Sequence, residues 1–339
     1  MTQPTADDIA ETLQQWLAID STSGNERHFL ETLEQTFHDD GWQIRRQPVE
    51  EDRWNLIVTD GNDPEVLLST HVDTVPPTLP VRREGGTIYG RGACDTKGGL
   101  LAMVHAARGL RDQGFDGIGF LLVVGEEVDH IGAKIACDLD LDARRIILCE
   151  PTQNQVVRAQ KGMLRFTLRA EGVAGHSAYP GDGESAVNPL LDAIAALRNH
   201  NWPEDDILGP TTFNVGVIEG GVAANVFAPE ARAELLFRAV SDTDQLLEQV
   251  QTLVGDAVVI DDLVYNDPLF FEIPDDVEST TVPFNTDAPY LNELADVWLV
   301  GPGDIRVAHS KDERIEIDEI FQGIELYQSL TKRVLELRG

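Results

Sequence analysis

The chain has 339 residues, 42% hydrophobic and 25% charged, which is enough for two domains or for one large domain with an insertion. Acidic residues outnumber basic residues 59 to 26, and the resulting formal charge of −33 argues against nucleic acid or an anionic membrane as a partner. The longest apolar runs have the length of strands, so we expect no membrane span, and the N-terminal residues lack the pattern of a signal peptide.

The first half of the chain alternates between helices and strands. Residues 5–19 place apolar side chains on one helical face, and Ser23 with Glu26 has the spacing of a capping box that opens a second helix ending near Gly41. Strands are predicted over residues 42–49, 54–60, 65–70, 117–125 and 145–149, with helices over 98–114 and near 131–138. This alternation predicts a mostly parallel α/β sheet.

The pattern changes near residue 160. A strand over 161–171, a helix over 188–199, strands over 211–218 and 231–240, a helix over 243–253 and an apolar run at 257–260 fit a ferredoxin-like module. Beyond residue 274 the helix 289–295, the strand 297–299 and the closing helix 316–337 return to the first pattern. We therefore predict a main α/β domain over residues 1–159 and 271–339, interrupted by a ferredoxin-like α+β lid over residues 160–270.

Metal-capable side chains follow three of the predicted buried strands. His71 and Asp73 follow the third strand, Glu126 and Glu127 follow strand 117–125, and Glu150 follows strand 145–149. Ligands of open α/β sheets gather at the carboxyl ends of strands, so we expect these side chains to meet. Adjacent carboxylates at the end of a buried strand are costly without cations, although a solvated turn would also explain them.

Two further segments complete the set. Asp95 lies in a glycine-flanked loop before a helix, where a carboxylate can bridge two cations or simply cap the helix. His309, near the C-terminus, would alone be an ordinary loop histidine. Together with the residues at the strand ends, they supply a histidine and a carboxylate for each of two ions and one shared aspartate, which predicts a two-zinc hydrolytic site.

Six segments in this order resemble the dinuclear zinc aminoacylase and carboxypeptidase family, which includes acetylornithine deacetylase and succinyl-diaminopimelate desuccinylase. They are residues 69–76, 89–99, 125–127, 149–152, 175–180 and 301–309, and they span nearly the whole chain. The resemblance implies a zinc-peptidase catalytic domain, a lid that forms a homodimer, and two zinc ions, with Co²⁺ or Mn²⁺ as alternatives.

The resemblance also implies a role for each residue of the site. One zinc would be held by His71 and Glu150 and the other by Glu127 and His309, with Asp95 bridging them. Glu126 would be the general base and Asp73 would orient His71. A cis peptide bond is implied at Asp95–Thr96.

In the lid, the resemblance implies that His176 reaches the partner subunit's active site and stabilises the tetrahedral oxyanion. Arg238 resembles the arginine that binds the α-carboxylate of the substrate, a task suited to its bidentate geometry. The other candidate substrate-binding residues are Asn225, Tyr179, Lys161 and Gly301, and Lys161 has a surface position as its alternative.

The implied reaction is hydrolysis of an N-acyl amino acid. Residues 285–290 and 301–309 look most like the acetylornithine deacetylase branch, which belongs to arginine biosynthesis. The alternatives are a hydrolase that releases lysine or ornithine from an amino-group carrier protein, succinyl-diaminopimelate desuccinylase, and a dipeptidase or carboxypeptidase. A metal-free binding module would need a broken ligand set, whereas all five ligand positions are filled here.

Composition adds two expectations about the environment. Three cysteines, an odd number, make a disulfide framework unexpected and favour a cytoplasmic location. The acidic surface either attracts a cationic ligand or is adapted to high salt, where screening reduces self-repulsion. We prefer the second explanation and predict a halophilic source.

Overall fold

The computed structural model describes residues 4–336. The chain forms two compact units. The main unit comprises Met1–Arg158, Phe271–Thr280 and Thr286–Gly339, and the inserted unit comprises Ala159–Phe270 and Thr281–Asn285.

A six-stranded sheet forms the centre of the main unit. Its parallel part consists, in spatial order, of β6 (Ile118–Val123), β3 (Val66–His71), β7 (Arg145–Leu148) and β17 (Val297–Leu299). On the other side of β6, the antiparallel strands β2 (Arg53–Thr59) and β1 (Gln43–Glu50) complete the sheet. The predicted mixed α/β fold with a mainly parallel sheet is confirmed.

The register of the sheet determines where the polar residues that follow the strands lie. His71 lies opposite Val123 of β6, and Ser69 lies opposite Leu148 of β7. Strands β3 and β6 are buried along their whole length, as expected for apolar strands covered on both faces. The residues that follow β3, β6 and β7 therefore emerge at the same edge of the sheet.

Helices and a small second sheet surround this core. The helices of the main unit are α1 (Ala6–Leu17), α2 (Arg27–Asp39), α3 (Gly98–Asp112), α4 (Ile131–Ala136), α7 (Ala288–Leu291) and α8 (Ile317–Glu336). The small sheet pairs β4 (Arg82–Glu84), β5 (Thr87–Tyr89) and β18 (Arg314–Glu316). Across residues 4–336, every helix is too short or too polar to cross a lipid bilayer.

The capping box predicted at Ser23 and Glu26 is wrong. Helix α2 begins at Arg27 without a side-chain cap, because the Glu26 carboxylate instead binds the Arg53 guanidinium at 2.6 Å. A capping box does occur on α1, where Thr5 and Asp8 cap each other's backbone N–H groups.

The inserted unit is an antiparallel sheet with two helices. Its elements in chain order are β9 (Gly162–Glu171), α5 (Val187–Asn199), β12 (Thr212–Gly220), β13 (Glu230–Ala239), α6 (Thr243–Val254) and β14 (Val259–Asn266). The strands lie in the order β12-β13-β9-β14, and apolar side chains of β9 and β13, among them Phe166 and Phe237, form a buried core with the helices. A two-stranded hairpin joins β10 (Glu204–Asp205) to β11 (Gly209–Pro210). Where the chain passes between the units, β8 (Val156–Gln160), β15 (Leu269–Phe270) and β16 (Ser279–Val282) form a three-stranded sheet.

Candidate metal centre

The five predicted metal ligands lie together at the edge of the main unit's sheet. His71 Nε2 is 3.0 Å from Asp95 Oδ1 and 3.9 Å from Glu150 Oε1. His309 Nε2 is 3.2 Å from Asp95 Oδ2 and 3.0 Å from Glu127 Oε2. The two carboxylate oxygens of Asp95 therefore face different imidazoles, which is the arrangement that a bridging carboxylate requires.

The segment Ala93–Lys97 carries Asp95 into this position. It follows Gly92, whose φ of +85° is in the left-handed region that favours glycine. The Asp95–Thr96 peptide bond is cis, as the resemblance implies. The Thr96 hydroxyl donates a hydrogen bond of 3.0 Å to the carbonyl of His71, and this bond joins the Asp95 segment directly to the end of β3.

Asp73 supports both halves of the site. The nearest acceptor for His71 Nδ1 is the Asp73 main-chain carbonyl at 2.9 Å, whereas the Asp73 carboxylate lies 3.5 Å away. That carboxylate accepts hydrogen bonds from the Ser23 hydroxyl at 2.7 Å and from the N–H groups of Glu126 and Glu127 at 3.1 and 3.2 Å. Burial acts to raise the pKa of Asp73, but its hydrogen bonds and the charge of His71 outweigh burial and hold the pKa below its usual value.

The electrostatics of the site fit a divalent cation. The Glu150 side chain is buried, and its Oε1 has no hydrogen-bond partner among residues 4–336. Burial raises the pKa of Glu150 and of Glu126 well above the ordinary carboxyl value, and neighbouring carboxylates add to the effect. Two imidazoles and several carboxylates lying close together are a donor set that zinc accepts, and a cation would compensate the charge of the carboxylates.

His309 differs from His71 in its surroundings. The His71 side chain is 1% exposed at the end of a buried strand, whereas that of His309 is 50% exposed. Hydrogen bonds to Asp95 and Glu127 raise the pKa of His309 to about 10. Burial acts to raise the pKa of Asp95, but the two imidazoles outweigh burial and hold the pKa below its usual value, so Asp95 stays ionised.

Several residues around the site have no role in the sequence analysis. Glu126 Oε1 lies 3.7 Å from His130 Nδ1, and the same nitrogen lies 2.9 Å from Asp287 Oδ1. Asp287 belongs to the segment 285–290, whose resemblance distinguishes branches of the family and predicts no contact with the site. Ser23 is predicted to cap α2 and not to bind Asp73. The contacts of His130 with Asp287 and of Ser23 with Asp73 join residues far apart in the chain, so no local pattern points to them, whereas His130 lies only four residues after Glu126.

The candidate lid residues fall into two groups within the inserted unit. His176, Tyr179 and Asn225 are connected through the backbone, since Tyr179 N donates to the His176 carbonyl at 2.9 Å and Ser177 N donates to the Asn225 carbonyl at 3.0 Å. The Tyr179 side chain is exposed. An exposed ring beside a histidine is free to contact a ligand.

The second group consists of Arg238 and Lys161. Arg238 lies on β13 opposite Met163 of β9. Lys161 is buried, donates a hydrogen bond to the Pro210 carbonyl, and has its pKa lowered by burial and by the charge of Arg238. Because Lys161 is buried, the alternative of a surface position is wrong, and a contact of Lys161 with substrate stays a prediction.

Gly301 is buried beside the end of β7. Its N–H donates to Thr152 Oγ1 at 3.0 Å, and a Cβ at this position would lie 2.6 Å from the Glu150 carbonyl oxygen and 2.7 Å from Cys149 Sγ. Close packing accounts for a glycine here. A contact with substrate stays a prediction.

Comparison with known proteins agrees with this arrangement. Residues 67–333 match the family model described as Peptidase family M20/M25/M40. A Peptidase M20 domain-containing protein of Schizosaccharomyces pombe is 33% identical over 340 residues, covering 96% of this chain and 85% of that protein. A probable carboxypeptidase of Aspergillus terreus is 34% identical over 364 residues, covering 94% of this chain and 84% of that protein.

The fold is also similar to that of a solved structure. The crystal structure of a tripeptidase from Staphylococcus aureus superposes with a TM-score of 0.81 and 22% identity, and the match covers 99% of this chain and 100% of the other. The family match covers well over half of the chain, including every predicted metal ligand. The chain therefore belongs to peptidase family M20/M25/M40 and is a metallopeptidase that hydrolyses amide bonds.

Proposed function

We propose that the protein is a two-metal hydrolase that cleaves the amide bond of an N-acyl amino acid or short peptide carrying a free α-carboxylate. The observation that carries this proposal is the position of Asp95 between two imidazoles, with its oxygens 3.0 Å from His71 and 3.2 Å from His309. A single carboxylate shared in this way suits two adjacent cations.

In this proposal His71 and Glu150 would hold one zinc ion, Glu127 and His309 would hold the other, and Asp95 would be shared between them. Co²⁺ or Mn²⁺ would suit the same nitrogen and oxygen donors. When bound, the metal ions polarise the amide carbonyl and lower the pKa of water.

The residues of the chain carry out the proton transfers. Glu126 takes a proton from the attacking water while the oxygen of that water forms a bond to the amide carbon. It then gives that proton to the departing nitrogen as the C–N bond breaks, so the carboxylate is regenerated. Asp73 Oδ1 accepts a hydrogen bond of 3.1 Å from Glu126 N, and this bond restricts the position of the Glu126 side chain.

Residues of the inserted unit recognise the substrate in this proposal. The Arg238 guanidinium binds the α-carboxylate through two parallel hydrogen bonds. His176, supplied by a second copy of the chain, donates to the developing oxyanion, and loss of such a donor typically costs about 3–4 kcal/mol. Asn225 and Tyr179, whose backbones lie near that of His176, would contact the same substrate.

Two substrate classes have specific support. The segments 285–290 and 301–309 resemble the acetylornithine deacetylase branch, which favours an N-acetyl basic amino acid. The name of the Aspergillus terreus relative, a probable carboxypeptidase 34% identical to this chain, favours a short peptide. Both classes present an amide next to a free carboxylate and need the same metal residues.

A substrate panel with metal-loaded protein tests the proposal. The panel contains N-acetylornithine, N-succinyl-diaminopimelate and dipeptides, each beside its C-terminal amide as the matched control. We expect hydrolysis of free acids only, abolished by chelation and restored by Zn²⁺ or Co²⁺. Turnover that persists after complete metal removal, or equal turnover of the amides, contradicts the proposal.

A further inference from the structure

We propose that the buried ion pair of Arg91 and Glu313 sets the distance between Asp95 and His309 and thereby tunes the affinity of one metal site. The two residues act as positioning residues, since neither reaches the ligand atoms. The inference rests on the proposed metal centre and is independent of the proposed substrate.

Glu313 anchors the segment that carries Asp95. Its Oε1 accepts hydrogen bonds from Gly92 N at 2.8 Å and from Asp95 N at 3.4 Å, and Cys94 Sγ lies 3.9 Å from the same oxygen. Its main-chain carbonyl accepts from Gly90 N at 3.1 Å. The Glu313 carboxylate therefore holds the backbone from Gly92 to Asp95, the segment that presents the Asp95 side chain.

Arg91 extends the connection to the segment that carries His309. Its Nη1 donates to Glu313 Oε2 and to the carbonyl of Ser310, the latter at 3.4 Å, and its Nε donates to the Pro77 carbonyl at 3.3 Å. Arg91 is 5% exposed and Glu313 is 1% exposed. One buried ion pair thus links the neighbour of His309 to the backbone of Asp95.

The need for such a link follows from how His309 is held. Among residues 4–336, the imidazole of His309 has hydrogen bonds and ion pairs with Asp95 and Glu127 alone, and its backbone has a φ of +59° outside any helix or strand. His71, in contrast, is fixed by the ladder of β3 and β6. Loosening the ion pair should therefore weaken the site of His309 and Glu127 more than the site of His71 and Glu150, which shares Asp95 but whose histidine is fixed in the sheet.

Arg91→Lys is the informative variant. It keeps a positive charge opposite Glu313, so no buried carboxylate is left unpaired. It removes the branched guanidinium that reaches three acceptors. Arg108→Lys is the matched control, because Arg108 Nε forms a similar ion pair of 2.6 Å with Asp40 between α3 and the end of α2. Glu313→Gln provides a second test from the other side of the pair.

The experiment is a titration of each metal-free full-length protein with Co²⁺, followed by the visible absorption of bound cobalt and by equilibrium dialysis. We expect wild type and Arg108→Lys to bind two ions. We expect Arg91→Lys and Glu313→Gln to bind one ion at an affinity close to that of wild type and the second about 10- to 100-fold more weakly, as is typical when the support of a ligand is removed. Thermal unfolding of the metal-free proteins shows whether each variant is folded.

Unchanged affinities in a folded variant, or equal weakening of both sites, overturns the inference. A wild-type protein that binds fewer than two Co²⁺ ions overturns it together with the proposed metal centre. A wild-type protein that binds two ions but hydrolyses nothing in the substrate panel refutes the proposed function alone. In that case the selective loss in Arg91→Lys still supports the inference.

Discussion

Asp73 shows how much of the candidate site depends on a single buried residue. Its carbonyl accepts from His71, and its carboxylate accepts from the backbone of Glu126 and Glu127. The Asp73 carboxylate therefore holds the backbone of the proposed general base, Glu126, and of the proposed metal ligand Glu127, and it also lies beside His71, the proposed ligand of the other metal ion.

We predict that Asp73→Asn weakens metal binding by about 10- to 100-fold, because an amide nitrogen replaces one acceptor oxygen and cannot accept the N–H groups held by Asp73. Zinc content after dialysis against a graded chelator measures this loss. Ser23→Ala, which removes only the hydrogen bond of 2.7 Å to Asp73, is the control and should have a smaller effect. Equal effects in the two variants would mean that the carboxylate only neutralises charge.

Glu126 is expected to act in chemistry rather than in metal binding. Glu126→Ala should keep both metal ions and lose about two to four orders of magnitude in kcat, since proton transfer by a positioned base contributes that much. Metal content and steady-state rates are measured on the same preparation, with Glu126→Gln as the variant of equal size. Turnover near that of wild type would remove Glu126 from the mechanism.

The protonation of His309 predicts a pH dependence of metal binding. Without metal, Asp95 and Glu127 raise the pKa of His309 to about 10, so the imidazole carries a proton at pH 7. A metal ion must displace that proton, so binding releases protons, and affinity rises with pH until His309 is neutral. Calorimetry in buffers of different ionisation enthalpy counts the protons. His309→Asn should release fewer, and an equal number would exclude His309 as a ligand.

At the scale of elements, the strong periodicities predicted most of the structure. The predicted strand over 297–299 coincides with β17, and the helix over 98–114 corresponds to α3, which ends at Asp112. The short strands β4, β5 and β18 were missed because each has only three residues, too few for the alternating pattern that indicates a strand. Strands β4 and β5 pair with each other across the turn of Gly85 and Gly86, whereas β18 pairs with β5 from a distant part of the chain, and no local pattern reveals that pairing.

The close approach of α3 to β7 gives a prediction at the same scale. A Cβ at Gly99 would lie 2.1 Å from Cys149 Sγ, so Gly99→Ala forces the helix away from the strand end that carries Glu150. The clash should cost about 1–3 kcal/mol of unfolding free energy, more than the roughly 0.5–1 kcal/mol that alanine gains over glycine in a helix.

Urea denaturation of Gly99→Ala, Cys149→Ala and the double variant measures this effect. The double variant should be more stable than the sum of the single effects predicts, because the smaller side chain at position 149 accommodates the new methyl group. Strict additivity would show that the two positions do not press on each other.

For the molecule as a whole, the sequence predicted which candidate ligands come together, but it did not predict which residues surround them. The ligands follow buried strands, and parallel strands of equal register end at one edge, so their convergence follows from the fold class. The partners of these residues come from segments that only the complete fold brings close to the site. Examples are Asp287, which lies near Glu126, and Glu313, which accepts a hydrogen bond from Asp95 N. The role of the candidate residues of the inserted unit in substrate binding stays a prediction.

The net charge of −33 gives a prediction for the whole molecule. Self-repulsion of a strongly acidic surface favours the unfolded chain, and salt at about 1 M shortens the Debye length to roughly 3 Å, compared with about 10 Å at 0.1 M. We therefore expect the urea midpoint of the metal-loaded protein to rise between about 0.1 M and 1 M KCl. Sucrose at matched osmolality controls for general exclusion from the surface. A midpoint that is the same at both salt concentrations would show that the acidic surface is not an adaptation to salt, and the predicted halophilic source would lose its physical basis.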